Sequence, residues 1–215
     1  MRRPIVLGVA LGALALLVLD AVVARSGLGP SAVPMLPGSS AWLTSRAAGV
    51  TAFLALSLDV AFGLFISTGV ADRAIPRARI VEAHRFLSGV TLALTALHAA
   101  ALLGDRFIRF DVLDVLVPLV SKYRPLSIGL GLFAAYLAIV IHQSFAWRKR
   151  LGAKLWRSLH YASFVAYAVA LLHGVFAGTD VRALSGVYLA SSSLIGALLL
   201  YRVAIARRHP ASARG

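Results

Sequence analysis

The sequence predicts an all-α integral membrane protein, a six-transmembrane-helix bundle with both termini in the cytoplasm. Three observations predict it. The 215 residues are 60% hydrophobic and only 14% charged, with mean hydropathy +0.84, whereas a soluble domain is roughly 45–50% apolar and about a quarter charged. Six apolar segments of spanning length follow one another, at roughly 20 residues per span. The basic residues gather on alternate connections.

Segment one runs from Ile5 to Val23 behind Arg2 and Arg3. Val22-Val23-Ala24 would pass as a signal-peptidase site, but the run is longer than a signal core, so an uncleaved first span is expected. Segment two covers Ala47 to Val70 and holds Asp59; segment three covers Val81 to Leu103. Segment four covers Leu126 to Phe145, segment five Leu155 to Ala177 and segment six Ala183 to Ala206. The first outer connection is rich in Gly and Pro and suits an irregular loop. The third, Phe107 to Val117, is too short and too charged to span, and is expected to lie on the outer surface as an amphipathic helix ended by Pro118. One domain is expected over residues 1–215, with a short basic cytoplasmic tail at 207–215.

Charge sets the orientation. Fourteen of the 22 basic residues fall at the N-terminus, on the second and fourth connections and in the tail, the densest group being Arg148, Lys149, Arg150, Lys154 and Arg157. Seven fall on the other side. The positive-inside rule then puts both termini in the cytoplasm, N-in and C-in, and a multi-pass place in the cell (inner) membrane is expected. The formal net charge of +14 does not indicate nucleic acid, because the cations sit at helix ends rather than along one face. Contact with lipid headgroups accounts for them. Cysteine is absent, which excludes disulfides, iron–sulfur clusters and thiolate-bound heme.

Histidine is the strongest remaining metal ligand, and four histidines lie inside predicted spans. His84 and His98 are fourteen residues apart on segment three; His160 and His173 are thirteen apart on segment five. An ionisable side chain in a bilayer is costly and marks a functional site by default. At about 1.5 Å per residue the pairs are separated by roughly 21 and 20 Å along their axes, so each has a member near either face of the membrane. Both segments run from inside to outside. His84 and His160 therefore share the inner level, and His98 and His173 the outer. Two bis-histidine hemes fit that pattern, with all four histidines as axial iron ligands.

The fourteen-residue interval is close to four turns, whereas thirteen leaves His160 and His173 well apart in azimuth on an ideal helix. A π-bulge, a helix bend or a rotation between the two heme planes would absorb the difference. Gly89 and Gly174 would let a macrocycle approach the backbone, and Phe86, Phe164 and Tyr167 would pack against it. Arg85 and Arg157 are candidate propionate partners at the inner level, and Arg106 or Arg182 at the outer; snorkelling to headgroups is the competing reading for each. Single intramembrane histidines also serve as helix–helix hydrogen-bonding groups. A histidine-lined metal or proton transporter would want carboxylates or thioethers nearby, yet Met1 and Met35 lie outside the spans. His142 reads as an interfacial polar residue or as a group for quinone, protons or the inner heme. His209 reads as solvated. Asp59 reads as hydrogen-bonded to Ser191, Ser192 or Ser193, or else as a proton carrier.

Glu82-Ala83-His84-Arg85-Phe86-Leu87-Ser88 with His98, and Trp156-Arg157-Ser158-Leu159-His160 with His173, resemble the ferric reductase-like transmembrane domain. That group includes iron reductases, NADPH oxidases and the heme subunit of the bacterial periplasmic methionine-sulfoxide reductase system. The resemblance implies a six-helix bundle with two heme b groups between the third and fifth helices. Iron reductases and NADPH oxidases continue into a flavin and nicotinamide domain. No Gly-x-Gly-x-x-Gly follows a strand pattern in this sequence, so a stand-alone bacterial member with no NADPH/FAD domain is expected.

The expected function is transmembrane electron transfer through two bis-histidine hemes, as the heme-carrying membrane subunit of an oxidoreductase. The donor would be a separate cytosolic flavoprotein or a quinol, bringing flavin or quinone as a partner's cofactor, and the acceptor would be a separate extracytoplasmic group. A quinol-oxidising cytochrome b, in which His142 or Asp59 releases protons, is the nearer alternative; the histidine-lined transporter is the farther one.

Overall fold

A computed structural model describes residues 40–208. The first predicted span, Ile5–Val23, and His209 in the basic tail lie outside the described residues. Within them every regular element is helical: α1 (Ser40–Thr68), α2 (Arg77–Leu102), α3 (Val112–Leu116), α4 (Pro125–Ala177) and α5 (Val181–Arg208). Four of these, all but α3, are long and apolar enough to cross a membrane. Long unbroken helices are what such a sequence must form, since only intrasegment hydrogen bonds satisfy backbone groups in hydrocarbon. The predicted segments two, three and six fall on α1, α2 and α5.

Segments four and five fall together on α4, and the connection between them is not a loop. The helix continues through the basic run and breaks at one residue, Gly152, with φ 75° and ψ 158°. Arg, Lys, Ala and Leu are good helix formers, so this polar linker stays helical until a residue that tolerates positive φ lets the chain turn. Either arm of α4 covers the roughly 20 residues a span needs. Pro125 begins α4, where its missing N–H costs nothing. The preceding Arg124 has φ 45° and donates from Nη1 to the Phe176 carbonyl at 3.1 Å. At the other kind of end, Gly69 (φ 63°) follows α1, its N–H bonding the Phe65 carbonyl at 2.9 Å, which is a left-handed helix stop.

The outer connection forms a helix, but a shorter one than the sequence suggests. Only Val112–Leu116 is helical. Asp111 accepts from the backbone of the first turn, and Asp114 accepts from the Asp111 N–H at 2.8 Å. This capping box fixes where α3 starts, so Phe107–Phe110 are left outside it.

Packing divides the described chain into two compact units. One takes Ser57–Phe86 and α5 from Arg182 onward; the other takes residues 40–56 and Leu87–Val181. The first has Ala61, Leu64, Ile80, Ile195 and Ala197 at its core. The second buries Ala52, Phe53, Leu132, Ala166, Tyr167 and Leu171, with Phe53 stacked on Tyr167 at 5.7 Å. Arg46 and Asp180 form an ion pair within it. Large apolar side chains such as Leu126 and Phe86 point outward, as positions facing lipid do.

Candidate functional site

The second unit brings two of the four histidines together, ring edge towards ring. His98 on α2 and His173 on α4 have ring centroids 6.1 Å apart, with planes at 73°. Each uses its Nδ1 in the same way. His98 Nδ1 donates to the Ser45 carbonyl at 2.7 Å, and His173 Nδ1 donates to the Ser127 carbonyl at 2.7 Å. Metal-ligating histidines characteristically fix the ring with the nitrogen that does not bind, often through a backbone carbonyl. Here that hydrogen bond leaves Nε2 of both rings to act as ligand.

The rings lie close to their supporting helices because glycine is opposite. A Cβ on Gly49 would come within 2.8 Å of His98 Nδ1, and a Cβ on Gly131 within 2.7 Å of His173 Nδ1. Real side chains essentially never approach so closely. The glycine stands four residues after the accepting carbonyl in both cases, Ser45 then Gly49 and Ser127 then Gly131. Residues four apart lie on one helix face, so carbonyl and glycine together make a seat for one imidazole.

The same seat occurs within the first unit. His84 Nδ1 lies 3.0 Å from the Asp59 carbonyl oxygen, and Gly63, four residues on, has its virtual Cβ 3.4 Å from His84 Cε1. Asp59 adds its side chain: Oδ1 stands 2.7 Å from His84 Nδ1. The approach is electrostatic rather than an aligned hydrogen bond, for Oδ1 is buried and has no hydrogen-bond partner; the N–H is directed to the carbonyl. At the His98 seat the corresponding side chain is a hydroxyl. Ser45 Oγ lies 3.0 Å from His98 Nδ1 and donates to the His98 carbonyl at 3.0 Å.

His160 sits on the second arm of α4, stacked on Trp156 one turn earlier at 5.2 Å and 22°. Trp156 also meets Phe145 edge-on at 6.4 Å. This arm is uninterrupted α-helix from Ala153 to Ala177, so no π-bulge absorbs the thirteen-residue interval between His160 and His173.

Asp59 stands against His84, and Ser191 Oγ donates to the Tyr188 carbonyl at 3.2 Å. Gly89 faces open space, and Gly174 uses its carbonyl to end α4 by accepting from Gly178 at 3.1 Å. Tyr167 is buried against Phe53, whereas Phe86 is 70% exposed. Arg85 and Arg157 are exposed at their helix surfaces. His142 Nδ1 lies 2.9 Å from Ser88 Oγ on an exposed face.

Gly49, Gly63 and Gly131 were not among the residues expected from sequence. A signal for them existed. Gly49 and Gly63 are fourteen residues apart, the interval of His98 and His84, as antiparallel neighbours must be.

The residues present fit a heme. Two imidazoles that ligate one metal from opposite sides, at about 2.0 Å each, place their ring centroids roughly 6 Å apart, as His98 and His173 stand. Among the described residues no three His, Asp or Glu side chains converge to hold a bare metal ion. Two opposed imidazoles suit a metal that brings its remaining ligands with it. No curated protein and no solved structure matches the chain. The family described as "ferric reductase like transmembrane component" matches residues 48–171, a stretch that holds His84, His98 and His160 with Gly49, Gly63 and Gly131 and ends two residues before His173, and the chain belongs to that family.

Proposed function

We propose that this protein carries electrons across the cell membrane through two b-type hemes, each held by two histidines. Ferric reductase-like domains generally bind heme and serve transmembrane electron transfer. The observation that carries the finer reading is the facing pair His98 and His173, each with Nδ1 tied to a carbonyl and Nε2 left for iron. His84 is seated in the same manner. With His160 it supplies the other ligand pair, a match that rests on the sequence depth of the four residues.

When bound, the hemes supply reversible one-electron chemistry at iron. The chain does the rest. Its four histidines would hold the iron through Nε2, two to each heme, and a heme held by two imidazoles would favour electron transfer over binding of oxygen. Its carbonyls fix each ring's tautomer and direction. Its glycines let the rings lie against the neighbouring helix. In this reading six spans place both termini in the cytoplasm, with His84 and His160 on the inner side. A cytosolic flavoprotein or a quinol is the donor, and an extracytoplasmic group is the acceptor.

The test is an optical spectrum of the purified protein, oxidised and reduced, with heme counted as its pyridine hemochrome. Two b hemes per chain support the reading. A colourless protein sinks it and returns the histidines to a transporter.

A further inference from the structure

The two histidines of α2 sit in matching seats that differ in one side chain. Position 45 is serine and position 59 is aspartate, fourteen residues apart, each beside the Nδ1 of its histidine. Ser45 brings a neutral hydroxyl that also spends its proton on the His98 carbonyl. Asp59 brings a carboxylate whose Oδ1 stands 2.7 Å from His84 Nδ1 and has no hydrogen-bond partner. The Asp59 side chain is only 14% exposed, and a carboxylate inside a span is costly. Its position against one ligand and not the other is the return that the structure offers for that cost.

We infer that Asp59 is a positioning residue that sets the two hemes at different potentials. The inference rests on the heme reading above. A negative charge against Nδ1 makes His84 the more basic, more electron-donating ligand. A more donating axial ligand favours ferric over ferrous iron, and hydrogen bonding around the ligand is one of the levers by which a protein sets heme potential. Among the described residues, His98 Nδ1 has the Ser45 hydroxyl and carbonyl beside it instead. Asp59 therefore gives the centre that His84 holds the lower midpoint potential and leaves the one that His98 holds higher. Under the proposed orientation the inner centre is the lower of the two, so the direction from inside to outside is downhill and is built in by one side chain. No proton or co-reactant is involved; the effect is a fixed charge acting through an imidazole.

Potentiometric titration of the purified full chain, followed optically, tests this, with heme counted in every sample. Wild type is expected to show two separate midpoints. Asp59→Asn should raise the lower midpoint by the equivalent of about a tenfold change in the ferric/ferrous equilibrium, ~59 mV for a one-electron couple. Asp59→Ser, which copies the seat of His98, should move it the same way, and Asp59→Glu should restore it. Repeating the titration in His98→Ala, which keeps only the inner heme, should show the Asp59→Asn shift in the one midpoint that remains. If wild type carries no heme, the proposed function fails and this inference with it. If both hemes are present in wild type and in Asp59→Asn but neither midpoint moves, the inference is overturned while the proposed function stands. Loss of the heme in both neutral variants also overturns it, leaving Asp59 as a structural support of His84.

Discussion

Two stretches of the α1–α2 pair seat a histidine by one geometry and surround it with different chemistry. At the first, His98 lies over Gly49 with its Nδ1 on the Ser45 carbonyl, and the ring touches the virtual Cβ of that glycine at 2.8 Å. At the second, His84 lies over Gly63 with its Nδ1 on the Asp59 carbonyl, and the approach is looser, at 3.4 Å. The carbonyl and glycine recur because antiparallel helices repeat their contacts along the pair. The side chain at the carbonyl residue is not constrained by that repeat. It is the one place where the two seats can be made unlike, and serine stands at one and aspartate at the other.

The largest effect expected from breaking this comparison is loss of a heme. His98→Ala and His173→Ala should each halve the heme per chain, and the heme that survives should be spectroscopically the same in both. Distinct surviving hemes would mean that the facing rings are not a ligand pair. Next come the glycines. Gly49→Ala and Gly131→Ala put a methyl group into a ring and should cost about 1–3 kcal/mol as overpacking does, read as earlier thermal loss of the heme band. Gly63→Ala, with ordinary contact distance to spare, should cost clearly less; equal losses at all three would erase the difference between the seats. Ser45→Ala removes the hydroxyl but keeps the carbonyl that holds His98. About 0.5–1.5 kcal/mol is expected from the lost hydrogen bond, with heme retained and only its thermal stability lowered. The smallest effect belongs to Gly89→Ala. Nothing lies within 4 Å of the added methyl, so heme content should not change, and the gain in helix propensity is at most about 1 kcal/mol. A heme lost there would show that a porphyrin meets the backbone at Gly89 after all.

Much of this was legible in the order of residues, for reasons that are local. Apolar runs of spanning length become helices because a backbone in lipid has no other way to satisfy itself, and α1, α2 and α5 fall where those runs predict. The histidine intervals also survive translation into structure, since rise per residue is nearly constant along a helix. The hinge between segments four and five was less legible. A run of Arg, Lys, Ala and Leu reads as a polar loop but prefers helix, so the turn is confined to Gly152. Asp59 was visible as an oddity in a span, but its place against His84 was not, because that depends on which residue of α1 lies opposite which residue of α2.

The sequence by itself determined the class of protein, the helices and the four histidines with their spacing, because hydropathy, rise per residue and ligand chemistry are properties of short segments. Only the tertiary structure decided which ring nitrogen is tied up, which glycines give the rings room, and that a carboxylate stands behind His84 and a hydroxyl behind His98. Those facts depend on which residue of one helix lies opposite which residue of another. That register is set by packing over the whole length of the helices, and no segment carries it alone.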